Sequence, residues 1–489
     1  MTGIINSEND ILNTSPATNT GSRYGRFATR LESYAYISYL VIVAIMPLPL
    51  GLNRPWAWSL LEISVLSIFS IYLLSYVANP RPWPKAVEIS RLPLFVLFLW
   101  LLYLYLQTVE FPAAFVEAVS PGSYFIYSYT LGSLDSMAIA LEPGLAKAEL
   151  LKATSYTVLA LLTLSLITTR KRVKTLAWVL FVVGFGEALY GLMSLNGTLL
   201  WNPTPNSTSG TYVNQNHLAG LLEMTIPLGV GLYLYKTRHS YTAHNFRQRL
   251  RNVTETLMRK KLHVLVMTTI MFGVLLLTTS RGGTMALLMA FFVASCYARF
   301  SNMGNNEARL LPLFLGMSIV AIIWFGVAGI TNKVAAQGID EQRVEVWRSS
   351  TAIVENYPVF GVGGGSWKNI FPHYRSLEAG IGTYEHAHND YLEEIVEQGF
   401  AGVGLLALVL MLSLKQIFRA LHVRQDPLAV SLLLSITTAV LAMMIHAIFD
   451  FNFQIPANMC YFIVLLTLGM AISSQGRKKY NSKSSSVRD

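Results

Sequence analysis

The chain has 489 residues, of which 53% are hydrophobic and only 13% charged, with a mean hydropathy of +0.44. A soluble domain carries about a quarter charged residues, so this composition excludes an ordinary soluble fold and makes lipid the main solvent. The net charge of +10 does not point to nucleic acid, because the basic residues sit in short clusters between apolar runs, the pattern that orients a membrane protein.

Residues 1–30 are polar, whereas a cleavable signal peptide needs an apolar stretch there, so the first membrane helix is expected to act as the signal. A span takes about 20 mostly apolar residues. Such runs lie near 32–52, 56–78, 92–108, 150–168, 175–195, 217–235, 262–279, 284–299, 310–330, 391–414, 428–448 and 457–474. They predict an all-α polytopic membrane protein with about twelve transmembrane helices. The membrane domain covers 32–474, between a cytoplasmic tail, 1–31, and a basic cytoplasmic tail, 475–489. Cys296 and Cys460 both fall inside apolar segments and offer neither a disulfide framework nor a metal ladder.

Loop charge sets the orientation. Arg23, Arg26 and Arg30, then Arg81, Lys85 and Arg91, then Arg170 to Lys174 fall on one side, and loop 236–261 carries eight Lys/Arg against one Glu. Arg299 and Arg309, Lys415, Arg419 and Arg424, and the tail from Arg477 continue the series. Segment 109–149 has five acids and one base, Lys147, and segment 196–216 has no Lys or Arg. Basic residues alternate sides as twelve spans require, which places both termini in the cytoplasm, the way an inner-membrane protein is oriented.

Two outer segments are long. Residues 109–149 are expected to lie along the membrane surface, and 331–390 form a large periplasmic loop between helices 9 and 10. Loops of that length without a functional reason are uncommon. Within it, Asp340 is expected to cap a short helix through about Asn356, with Val344, Trp347 and Val354 on one face and Tyr357–Pro358 as its stop. The glycine run Gly361-Val-Gly-Gly-Gly365 follows, read as a flexible turn or a contact to a lipid diphosphate.

The segment His386-Ala-His388-Asn389-Asp390-Tyr-Leu-Glu393-Glu394 joins this loop to the tenth span. Ionisable groups at a span entrance are costly unless they face protein or water. Three readings stand: a capped interfacial helix start with solvated histidines, a general base near pH 7, or a metal site, which lacks a Cys or a distant His-rich cluster to complete its shell. Arg281, in Thr278-Thr-Ser-Arg-Gly-Gly283, lies on the side where positive residues are avoided; it is a snorkelling arginine or a ligand contact beside permissive glycines. Arg343 belongs to an ordinary solvated face, or forms with Arg281 a clamp whose planar forks suit diphosphate oxygens. Asn214, Asn216 and His217 open the sixth span and either cap it or line a cavity for sugar hydroxyls.

These motifs resemble the O-antigen ligase and O-antigen polymerase superfamily of bacterial membrane glycosyltransferases. His388-Asn389, nine residues, then Gly399-Phe-Ala-Gly402 is similar to the ligase signature, although Val403 stands where the family often has Thr. Tyr212–Ala219, Thr279-Ser280-Arg281 and Arg343…Trp347…Pro358…Gly361-Val-Gly363 extend the resemblance, from about Pro47 to Gly402. It implies transfer of a glycan from undecaprenyl diphosphate to an acceptor hydroxyl at the periplasmic face. In that scheme His388 is catalytic, Arg281 and Arg343 hold the diphosphate, and Asn214, Asn216, His217, Gly363, His386 and Asn389 are possible substrate contacts. No metal or other cofactor is implied, since arginines can stabilise the leaving diphosphate. The acceptor would be a glycan, a lipid A-core or another hydroxyl. A transporter or flippase, which twelve spans also suit, and a protein O-oligosaccharyltransferase are the alternatives. The midplane is expected to lack paired charges apart from groups such as Glu187.

Overall fold

The computed structural model describes residues 23–195, 204, 207–237, 262–301, 310–331, 337–380 and 382–475. Most of the predicted basic loop 236–261, Arg309 and the tail from Arg477 lie outside the described residues.

Each predicted span coincides with a helix: α1 Arg23–Ile45 and α2 Pro55–Ala78; then, after α3 Lys85–Ile89, α4 Arg91–Thr108. After two short surface helices, α5 Ala113–Val119 and α6 Pro121–Leu131, come α7 Pro143–Leu166, α8 Arg170–Ser194 and α9 Gln215–Thr237. Next are α10 Leu262–Leu277, α11 Arg281–Phe300 and α12 Leu310–Thr331; the large insert then adds α13 Gln337–Asn356 and α14 Trp367–Tyr374. The bundle closes with α15 Asp390–Val423, α16 Pro427–His446 and α17 Pro456–Ser474.

Among the described residues, nine of these helices are long and apolar enough to cross a membrane, so this is a multi-pass membrane protein. The count of twelve is not reached on that measure. The apolar parts at Leu262–Leu277 and Pro312–Phe325 are shorter, and α1 carries Arg23, Arg26, Arg30 and Glu32.

Helix starts follow local chemistry. Proline at the first turn opens α2, α6, α7, α16 and α17, where its missing N–H is no loss. Thr169, Ser280, Asn389 and Asp426 accept hydrogen bonds from backbone amides of the first turns of α8, α11, α15 and α16. The bundle centre is α9, α16 and α17: α16 packs on α9, α11 and α17.

One end of the bundle is tied by basic groups. Arg81 and Arg172 both pair with Glu32 at 2.9 Å, and Arg170 pairs with Asp426 at 2.8 Å. These contacts bring the start of α1, the end of α2 and the starts of α8 and α16 together. The opposite end carries the two long inserts.

In the first insert, strands β1 Glu110–Pro112 and β2 Ser136–Ala138 form an antiparallel pair, with Glu110 opposite Ala138. It is fastened to the second insert, since Leu141 N donates to Val362 O at 2.8 Å. The second insert has its own small core of Val346, Ile353, Tyr357, Trp367 and Phe371. Two expectations about α13 are corrected. It begins at Gln337, so Asp340 lies inside it rather than at its cap, and its buried face carries Val346 and Ile353, while Val344 is exposed. The insert core sits beneath that face and selects it over the one holding Val344.

α15 is broken near its outer end. Gly399 adopts φ +62° and ψ −179°, and a β-carbon there would collide with the Val359 carbonyl. Gly361, at φ +69°, presses on the Glu397 backbone from the other side. Phe400 N then donates to Pro358 O at 2.9 Å and Val362 N to Val396 O at 2.9 Å. The break thus lets a loop strand dock edge-on against a helix, a geometry open to glycine because both residues need positive φ and close backbone approach.

Candidate functional site

The inserts and the ends of α9, α11, α15 and α16 converge on one segment that sequence analysis did not single out, His446 to Phe453. Asp450 accepts from, or pairs with, His388 (Nδ1···Oδ1 3.3 Å). The Phe451 ring is surrounded by three imidazoles: His386 stacks on it at 4.5 Å between centroids, and His388 and His217 meet its edge at 4.8 and 4.9 Å. The Phe449 carbonyl accepts from Arg343 Nη1 at 3.3 Å. Phe453 N donates to Asp390 Oδ2 at 2.9 Å.

Arg281 opens α11 beside this segment. The positions where Gly282 and Gly283 would carry β-carbons lie 3.2 and 3.0 Å from the His446 ring, and Gly282 also faces the Phe449 β-carbon at 3.8 Å. The two glycines let the helix start rest directly on that imidazole. Arg281 itself is exposed and makes no ion pair among the described residues. The start of α11, which carries Arg281, and Arg343 thus both meet Phe449, although 62 residues separate the two arginines in the chain.

The first two turns of α15 act as an anchor for the outer loops, each polar side chain holding a different one. Asn389 caps its own helix through Leu392 N, 3.1 Å. Glu393 accepts from Ala387 N and faces His386 Nδ1, both at 2.7 Å. Glu397 accepts from Trp367 N at 3.0 Å. His388, caught between these ties, sits at φ +52°. That conformation is uncommon for a residue with a β-carbon and persists where the surroundings enforce it, often at functional sites. Thr279, two residues before Arg281, is likewise at φ +56°.

Burial by itself would raise the Asp450 carboxyl. The hydrogen bond with His388 and the nearby His446 and His217 outweigh that and hold it well below the usual carboxylate range. Asp450 is thus ionised at neutral pH, where it can accept from the Nδ1 face of His388 and leave Nε2 as the acceptor nitrogen.

A cavity of about 460 Å³ opens next to these groups, lined among others by Asn53, Asn214, His217, His386 and Phe451. Its size falls in the range of small-molecule sites, roughly 300–1,000 Å³. Asn214 accepts from Asn216 N at 2.8 Å, so it both caps α9 and faces the cavity, and the two sequence readings merge. Gly363, at φ +98°, packs on Ala140 and donates its N–H to Glu397 O at 2.9 Å. The glycine run is a packing junction between the two inserts and α15.

Beneath the site lies a buried ionisable pair. His446 Nδ1 is 3.1 Å from Glu223 Oε2, and Asn452, Asn458 and Tyr212 continue the network. Glu223 lies eight residues into α9, about 12 Å along the helix axis. The pair joins the end of α16 to the interior of α9. Glu187 is satisfied by Thr211 N and Oγ1, both at 3.0 Å. Asp450, Phe451 and His446 were missed because each matters only through residues far away in the chain. The one signal was the polar run Asp450-Phe-Asn452-Phe-Gln454 in a short turn between two spans.

Among the described residues, no group of three or more His, Cys, Asp or Glu is arranged to hold a metal ion; His386 meets the Phe451 ring by stacking and His388 by its edge. Residues 266–409 match the family model described as O-antigen ligase, which spans α10 through most of α15 and contains Arg281, Arg343 and His388. No curated protein matches the chain.

Proposed function

We propose that this chain, a multi-pass membrane protein that resembles the O-antigen ligase superfamily across residues 266–409, transfers a glycan from undecaprenyl diphosphate to an acceptor hydroxyl on the outer face of a bacterial inner membrane. The domain doing so is the membrane bundle 32–474, with both termini cytoplasmic. The observation that carries the reading is the meeting of His388, Asp450, Arg343 and the Arg281 helix start around one short turn, beside a cavity lined in part by Asn214, His217 and His386, at the end opposite the basic ties.

The chemistry follows from the groups in place. His388 Nε2 takes the proton of the acceptor hydroxyl. The oxygen forms a bond to the anomeric carbon, the bond from that carbon to phosphate breaks, and its electron pair leaves on the diphosphate. Arg281 and Arg343 stabilise the charge that develops there, where fixed cations act more strongly in the leaving state than on the bound donor. Asp450 accepts from Nδ1, fixing the ring and stabilising the imidazolium. His217, His386 and Asn214 face the cavity where sugar hydroxyls would lie, and Asn216 and Asn389 support that wall through their helix starts.

Reconstituted full-length protein supplied with undecaprenyl-diphosphate-linked glycan and a hydroxyl acceptor is expected to yield transferred glycan. EDTA should leave the rate unchanged within about twofold, since the arginines take the place of a divalent ion. Loss of transfer in EDTA that added magnesium or zinc restores would overturn the metal-free scheme. A transport reading draws on the buried Glu223–His446 pair, because ionisable pairs at membrane depth serve proton-coupled carriers. Glycan that crosses the bilayer unchanged, with no product formed in the same assay, would favour it.

A further inference from the structure

A second cavity, of about 330 Å³, lies among α4, α7, α15 and α17. Its walls are apolar, with Leu97, Trp100, Ala160, Leu406, Phe462 and Leu466 among them. It follows α15 from Asp390, across the break at Gly399, to Ser413, so it is an elongated crevice along that helix. A volume of that size holds a segment of one hydrocarbon chain. No Lys or Arg lines it.

Its outer end is different. Asp390, Tyr391 and Glu394 face it there. The Tyr391 hydroxyl donates to Met444 O at 2.8 Å, and a Glu394 oxygen accepts from Gln398 Nε2. Asp390 is 1% exposed; its Oδ2 takes the Phe453 amide, but Oδ1 has no hydrogen-bond partner among the described residues. A buried carboxyl oxygen left without a partner is costly, so a hydroxyl supplied from outside the chain, which can donate or accept, would be bound well.

We propose that this crevice is a lipid site: it takes a hydrocarbon chain whose uncharged headgroup places a hydroxyl within hydrogen-bond reach of Asp390 Oδ1. A phosphate headgroup fits poorly, because it would meet two carboxyls with no lining cation to offset them. Arg281 belongs to another side of the molecule, since α11 packs against α9, α10, α12 and α16, and Arg343 is turned to the Phe449 carbonyl. The occupant is therefore a lipid separate from the diphosphate-bearing donor.

The test uses full-length protein in nanodiscs and three photoreactive probes sharing one 16-carbon diazirine chain: a monoacylglycerol, a lysophosphatidic acid and the bare alkane. Labelled peptides are read by mass spectrometry. The monoacylglycerol is expected to label Leu405–Leu414 and Phe462–Met470 about tenfold more than either other probe, the effect of satisfying one buried, otherwise unpartnered carboxyl oxygen. Ala160→Phe fills the crevice and should lower that labelling by about tenfold; Leu406→Trp, at a half-exposed position, gives the same test should the first variant not accumulate. Asp390→Leu should remove the preference for the hydroxyl and leave alkane labelling intact. Equal labelling by all three probes would mean an ordinary lipid-facing groove and overturn the site. Displacement of the monoacylglycerol by undecaprenyl diphosphate would assign the crevice to the donor's own chain and overturn it as well. Neither result depends on whether the protein transfers glycan.

Discussion

Replacing His388 with alanine is expected to abolish glycan transfer while the protein accumulates in the membrane at its normal level. A positioned general base contributes on the order of 10²–10⁴-fold, so the residual rate should fall by that factor. Accumulation should persist because His388 is a partly exposed loop residue whose ties are made by its neighbours: Ala387 through Glu393 and Asn389 through Leu392. His386→Ala should cost less, since its ring stacks on Phe451 and pairs with Glu393 without reaching Asp450. Asp450→Asn provides the internal control. It keeps the shape but removes the charge opposite Nδ1, and should lower kcat with little change in KM. Near-normal product from His388→Ala cells would leave the transferase scheme without its base, and a solvated-loop role for both histidines would stand.

Arg281→Lys is the second decisive change. Lysine keeps the positive charge and loses the planar fork that can grip two phosphate oxygens at once. A diphosphate contact therefore predicts a loss of roughly ten- to a hundredfold in kcat/KM, the worth of one charge-assisted hydrogen bond. A snorkelling arginine predicts almost none, because lysine snorkels equally well. The same substitution at Arg343 should behave alike, and the double variant should fall short of the summed losses, since both flank Phe449 and neighbouring sites couple. Full activity in both single lysine variants would detach the arginines from the donor.

Much of this architecture was legible because lipid imposes it. A helix crossing a bilayer must satisfy its own backbone and be apolar for about 20 residues, so apolar runs and loop charges mark nearly every helix. The errors fall where water returns. α1 starts at Arg23 and α7 at Pro143, ahead of the expected 32 and 150, because their first turns are polar and carry no apolar signal. The spacing from His388-Asn389 to Gly399 was also legible, and it has a physical basis: the histidine leaves the loop just before α15, and the glycine breaks that helix where the Val359 carbonyl docks. The turn His446–Phe453 was not legible. Asp450 reads as one acid in a short loop, and only the fold brings it to a histidine 62 positions earlier.

Phe451 acts as an insulator. Its ring stands among three imidazoles, His217, His386 and His388, and in the proposed scheme it keeps them from converging. Remove the ring and the same side chains are free to gather around a single ion, since neutral imidazoles and carboxylates are the ordinary ligands of zinc. Phe451→Ala should therefore acquire inhibition by micromolar zinc that EDTA reverses, while the unaltered protein stays indifferent to both. A variant no more sensitive than its parent would show that the histidines are held apart by their own anchors, Glu393 and Asp450, and not by the phenyl between them.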